Sequence, residues 1–133
     1  MPGEAHARST RTCVLWYDGI VHARFRERAE VTLDDARENL AVTAELTRGH
    51  RVPVLVDLRP IRSQTAEARA YFAGPAATAV TRAVALVVAS PVSRVLGNFF
   101  LGFNRPATPA RLFTSVDEAL AWLRTFAGSG DVA

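Results

Sequence analysis

A chain of 133 residues, 49% hydrophobic and 22% charged, is long enough for one folded domain with a real core and too short for two. That balance excludes a disordered chain and a fibrous repeat. The net charge of +3 comes from sixteen basic residues, all arginine, spread from Arg8 to Arg124 without a block of neighbours, so no nucleic-acid partner is expected.

The opening residues MPGEAHARSTRT lack the apolar core of a secretory signal. Arg94 interrupts the longest apolar stretch, and an arginine near the middle of a spanning helix costs about 2.5–3.5 kcal/mol. No integral membrane segment is therefore expected, and a cytoplasmic location follows by default. The lone Cys13 cannot form an internal disulfide and reads as a small buried hydrophobe.

One domain is expected over residues 13–127, with flexible tails at 1–12 and 128–133. Cys13 to Tyr17 reads as a strand closed by the turn dipeptide Asp18-Gly19, and Ile20 to Phe25 alternates like a half-buried strand. Together they make an antiparallel hairpin at one edge of a sheet. Thr32 begins a helix with Asp34 and Asp35 in its first turn; Leu33, Ala36, Leu40, Thr43, Ala44, Leu46 and Thr47 share one side, and Gly49 caps its end.

Val52 to Leu58 is a nearly continuous apolar run suited to a central strand, provided that Pro53 lies at its start. Ser63 is expected to cap the next helix, with Ala66, Ala70, Tyr71 and Phe72 turned inward, and a second short helix can follow Gly74-Pro75. Ala83 to Ala89 is another apolar strand. Ser90 then caps a helix with Pro91 at its first position. The loop from Pro106 to Pro109 leads into a strand at Ala110 to Phe113, and Ser115-Val-Asp-Glu118 has the spacing of a capping box for the last helix. Strands alternating with helices imply a mainly parallel sheet with right-handed crossovers.

No catalytic constellation emerges. His6, His22 and His50 fall in a tail, a strand and a loop, and none has metal-ligand spacing, so no metal or cofactor is called for. The spacing of Gly97 and Gly102 lacks the Lys and Ser/Thr of a phosphate loop and is better explained by close packing of a helix on the sheet. Two helix starts at the carboxyl ends of apolar strands offer hydroxyls and charge for an anion or a phosphoryl switch: Arg59, Arg62, Ser63 and Thr65 at one, Ser90, Ser93 and Arg94 at the other.

The helix from Val92 carries the other candidate surface. At about 100° per residue, Val92, Val95, Leu96, Phe99, Phe100 and Phe103 share an arc of roughly 140° that should face the core. Phe100 lies at its edge, and Leu101 is expected to be exposed. Leu96, Phe99, Phe100, Leu101 and Phe103 are thus the candidate partner or ligand surface.

The element order, the central run VPVLVDLRPI and the segment SPVSRVLGNFFLGFNRP resemble the STAS/SpoIIAA-like superfamily, the fold of anti-sigma factor antagonists, over about Cys13 to Phe126. The resemblance implies an α/β SpoIIAA-like domain: a five-stranded, mostly parallel sheet with an antiparallel edge hairpin strand and four or five helices. It also implies a non-enzymatic regulatory module that binds a protein partner or a second copy of itself, switched in the wider family by a Ser or Thr after the central strand. Ile61-Arg-Ser-Gln-Thr-Ala-Glu67 departs from the Asp-Ser-Ser-Gly type of switch motif; only Ser63 and Thr65 can map there. The alternative is a carrier or sensor of a small apolar, lipid-like ligand held beneath the helix from Val92.

Overall fold

The computed structural model describes residues 6–104 and 106–126, with Phe103 described by its backbone alone. Its strands are β1 (Arg8–Ser9), β2 (Cys13–Tyr17), β3 (Val21–Phe25), β4 (Glu30–Val31), β5 (Val52–Asp57), β6 (Ser63–Gln64), β7 (Thr81–Val87) and β8 (Ala110–Phe113). Its helices are α1 (Leu33–Thr47), α2 (Ala66–Phe72), α3 (Pro75–Thr78), α4 (Pro91–Phe99), continued by a π-helical turn at Phe100–Asn104, and α5 (Val116–Arg124).

Six strands form the main sheet in the order β1-β2-β3-β5-β7-β8. The first two pairings are antiparallel and the remaining three are parallel. The expected mostly parallel α/β sheet with an edge hairpin is therefore present, extended by a two-residue strand. From β3 onward each parallel strand is added on the same side of the one before. Right-handed crossovers then place α1, α2 and α4 on one face of the sheet. Only α5, after the last strand, reaches the other.

The two cores follow that division. Leu15, Ala23, Phe25, Val54, Val84, Leu86 and Val88 pack with Ala36, Val42, Ala68, Leu96 and Phe100 from the helix-rich side. Leu55, Ala83, Ala85 and Val87 pack with Ala119 and Leu123 of α5. The hairpin covers its own part of the α5 side: His22 stacks on Trp16 at 4.7 Å, and Arg24 lies 5.2 Å from the same ring. His22 is thus largely covered and sits 3.1 Å from Asp18.

Local chemistry sets the boundaries. Pro53 has no N–H for the ladder, and the β5–β7 register slips between Val52 and Pro53. Thr32 and Asp35 form a reciprocal capping box, and α1 ends on two left-handed residues, Arg48 at φ 54° and Gly49 at φ 78°. Ser90 and Ser115 cap α4 and α5 by accepting from Ser93 N–H and Glu118 N–H. Ser63 does not cap α2. It pairs in β6 with β4, and Thr65 accepts from Ala68 N–H instead. In α2 the inward residues are Ala68, with Tyr71, Phe72 and Ala73 half-buried, while Ala66 and Ala70 are exposed.

The ordered part of the fold starts before Cys13. Arg8 and Ser9 pair with Leu15 and Val14, and Thr10 and Thr12 are buried. Arg11 forms a bidentate pair with Asp35 and donates to Glu30 O at 2.9 Å, tying the N-terminal segment to the start of α1. The tails at 1–5 and 128–133 lie outside the described residues.

The Arg11 guanidinium, helped by the Thr32 N–H and hydroxyl, holds the Asp35 carboxyl below its ordinary value. The unfolded chain therefore takes up that proton first as pH falls. The resulting stabilisation is present above about pH 4 and is lost as pH drops through the lower, folded value. Thermal midpoints measured from pH 7 to pH 3 should fall at the acid end, and Asp35→Asn should flatten that fall. An unchanged acid limb in the variant would remove Asp35 from the account.

Candidate functional site

A cavity of about 80 Å³, counted as the space in which the centre of a water molecule can move, lies on the helix-rich side of the sheet. One water needs only about 10–15 Å³ by that measure. The floor is made of the strand side chains Leu15, Ala23, Phe25, Val54, Val56, Val84 and Leu86, with Leu58 just beyond β5. Asn39, Leu40 and Thr43 of α1 close one side, and Leu96 and Phe100 of α4 and its π turn close another. Gln64, Phe72, Ala77, Thr81, Pro106 and Thr108 complete the wall.

The helices leave this space for reasons visible in their side chains. Helix α1 buries Asp35, Asn39, Thr43 and Thr47 at intervals of four, with Ala36 and Val42. Leu33, Leu40 and Leu46, expected on the inner face with Thr43 and Thr47, sit half-buried at the margins. Polar contacts decide the rotation: Asp35 is held by Arg11, and Asn39 Oδ1 accepts from the Thr10 hydroxyl at 2.6 Å. Thr43 and Thr47 donate their hydroxyls to Asn39 O and Thr43 O, so they can be buried without loss. Such short side chains do not reach across to the sheet as leucines would.

Helix α4 also sits differently from its apolar pattern. Its buried residues are Ser93, Leu96 and Gly97, followed by Phe100 at the start of the π turn. Val92, Val95 and Phe99 are 44%, 53% and 46% exposed. The expected core-facing arc is thus turned outward along one edge. Phe100, expected at a partly exposed edge, is buried, and Leu101, expected outside, is half-buried against the core. The side chain of Phe103 lies outside the described residues.

Close approach accounts for the rotation. A Cβ on Gly97 would come within 2.7 Å of Leu112 Cδ2 and 3.2 Å of Val88 Cγ1, so a glycine here lets α4 lie against Leu112 of β8 and Val88 just after β7 without moving either side chain. Ser93, fully buried, does the same one turn earlier. Gly102, by contrast, has open space where a Cβ would be, and the packing explanation expected for it fails.

The hydroxyl and arginine candidates at the strand ends are engaged locally. Ser93 Oγ accepts from Ala89 N–H at 2.9 Å and donates to Ser90 O, while Ser93 N–H goes to Ser90 Oγ. Arg94 N–H bonds to Ser90 O, its Nε to Ala89 O, and Pro91 has no N–H to offer. The Ser93 and Arg94 N–H groups of the first turn are therefore used within the cap itself. Arg62 and Ser63 give their N–H groups to Ala29 O, Thr65 gives its own to Val31 O, and the three side chains face solvent. Arg59, expected to supply charge at this strand end, instead grips the buried Asp57 through Nε and Nη2 at 2.9 and 2.7 Å.

An open α/β sheet binds ligands in the crevice where its strand order reverses. Here the order never reverses, so that crevice is absent and the room lies between the layers instead. Among the described residues, no cluster of three or more His, Cys, Asp or Glu could hold a metal ion, and no helix is long and apolar enough to cross a membrane. Burial pushes the Cys13 thiol up to about 12, so it is not a nucleophile at neutral pH.

Comparison with known proteins agrees with this architecture. A family model described as Domain of unknown function (DUF7793) matches residues 14–127. The chain belongs to the DUF7793 family. A solved protein of the DUF3478 family with a SpoIIAA-like fold, from Shewanella loihica PV-4, is 14% identical and covers 88% of this chain and 90% of its own, with a TM-score of 0.55. That likeness shows a SpoIIAA-like fold for this DUF7793 member. A protein of unknown function from Arthrobacter sp. FB24 is 34% identical, covering 91% of this chain and 98% of its own, with a TM-score of 0.32. No curated protein matches.

Proposed function

We propose that this DUF7793 domain is a non-enzymatic binding module that holds a small, largely apolar ligand between its sheet and its helix layer. The cavity carries the proposal. Among the described residues its lining has no ionisable side chain, so no acid or base for chemistry is found there, and the walls favour burial of apolar surface, at about 25 cal/mol per Å². Native mass spectrometry of freshly purified protein should show an added small-molecule mass that organic extraction removes. A clean unliganded mass, with no uptake of added cyclic hydrocarbon, would overturn the reading.

A second reading, regulation through a protein partner, draws support from α4. Leu96 and Phe100 meet the cavity, while Val92, Val95 and Phe99 of the same helix face solvent. A ligand that displaces α4 therefore changes the outward edge as well, which is what a sensor requires. The loop after β5 supports this reading less than α4 does: its backbone is tied by the β4–β6 pair and Thr65 serves as a cap, with Ser63 left as its exposed hydroxyl. Val95→Glu and Phe99→Glu should abolish partner binding or self-association while leaving the thermal midpoint nearly unchanged. Light scattering across a range of concentrations separates a second copy from a different partner.

A further inference from the structure

The cavity is apolar in most of its wall, yet α1 places an amide in it. Asn39 is only 4% exposed. Its Oδ1 is taken by the Thr10 hydroxyl at 2.6 Å, a length that fits O–H···O and is short for N–H···O. Thr10 Oγ1 also accepts from Cys13 N–H at 3.0 Å and has a second acceptor in Cys13 O at 3.3 Å; the contact to Asn39 Oδ1 is much the shorter, so it takes the Thr10 proton and sets which way the amide points. That leaves Nδ2. Among the described residues it has no protein acceptor.

A buried amide donor without an acceptor loses its hydration and gains nothing in return, so such groups are rare unless something else uses them. Thr12 Oγ1 and Arg69 Nε also lack protein partners, but neither residue lines the cavity. Asn39 is the orphaned donor that does. A charged head group would meet no ionised partner among the described residues of these walls, and its desolvation would go unrepaid there.

We infer that the cavity selects an uncharged, apolar molecule bearing a carbonyl oxygen, and that Asn39 Nδ2 is the donor that reads it. This rests on the ligand-holding reading above and narrows it to a chemical class. The floor side chains supply affinity without direction; the amide supplies the direction.

The probes are cyclohexanone, methylcyclohexane and cyclohexanecarboxylate, titrated into the full chain by NMR. Cyclohexanone should shift the Asn39 side-chain amide protons, and methylcyclohexane should perturb the surrounding methyl groups without that shift. The carboxylate should not bind. In Asn39→Leu the preference for ketone over hydrocarbon should fall about tenfold while the hydrocarbon still binds. If neither neutral probe binds, the cavity reading itself is wrong and this inference falls with it. If both bind and the ketone leaves the Asn39 amide unmoved, the cavity reading stands and the role of Asn39 is refuted, with no need for a folded variant. Carboxylate binding as tight as the ketone's would refute the choice of an uncharged ligand.

Discussion

Phe100→Ala should lower the unfolding free energy by about 3–5 kcal/mol, and Phe99→Ala by less than about 1 kcal/mol. The two rings are adjacent in sequence and opposite in environment. Phe100 is 8% exposed and belongs to the large core; Phe99 is 46% exposed, with the Arg69 guanidinium 5.2 Å from its ring. Truncating Phe100 removes a buried ring and widens a cavity that already exists, so the site has little prospect of collapsing to recover contacts. A domain of this size has roughly 5–15 kcal/mol in hand, which makes the first change severe. Urea denaturation resolves it, since the slope for small proteins is about 1–3 kcal/mol per molar. Equal losses for the two variants, or a larger one for Phe99, would mean that α4 packs on its most apolar arc after all.

That contrast shows where sequence reading reached and where it stopped. The strands were legible because β5 and β7 are nearly continuous runs of Val, Leu and Ala, and such runs have few alternatives to a doubly covered strand. The caps at Thr32, Ser90 and Ser115 were legible because capping is a local matter. The face of α4 was not. A hydrophobic arc measures which side prefers to leave water, whereas contact with β7 and β8 demands the smallest side chains, and Ser93 and Gly97 win that position. Val92, Val95 and Phe99 are displaced outward as a consequence.

Helix α1 was misread for a related reason. Its leucines promised an inner face, but the bond from Thr10 to Asn39 spans 29 residues, and the pair from Arg11 to Asp35 spans 24. No periodicity within α1 reports such partners. The regular spacing of Asp35, Asn39, Thr43 and Thr47 was nonetheless present in the sequence, and a stripe of short polar residues at intervals of four was the available signal. It marks the side of the cavity that the candidate residues on α4 did not reach. Of those candidates, Leu96 and Phe100 do line it.

The loop after β5 supplies the second large effect. Arg59→Ala should destabilise the domain by about 2–3 kcal/mol, between the values expected for surface and fully buried pairs. Asp57→Asn should do so by about 1 kcal/mol, the net worth of an ordinary hydrogen bond. The asymmetry comes from solvent access: the Asp57 side chain is 7% exposed and that of Arg59 is 43% exposed. Removing the Arg59 side chain strands a carboxylate whose one remaining donor among the described residues is the backbone N–H at position 59, 3.1 Å from Oδ1. Removing the charge of Asp57 leaves an arginine that can turn to water and an amide oxygen that still accepts from that N–H. The double variant should therefore be more stable than Arg59→Ala alone, because it no longer buries an unpaired charge. Additive losses in the double-mutant cycle would show that the pair is not coupled and that the loop is held chiefly by its backbone bonds to Ala29 and Val31.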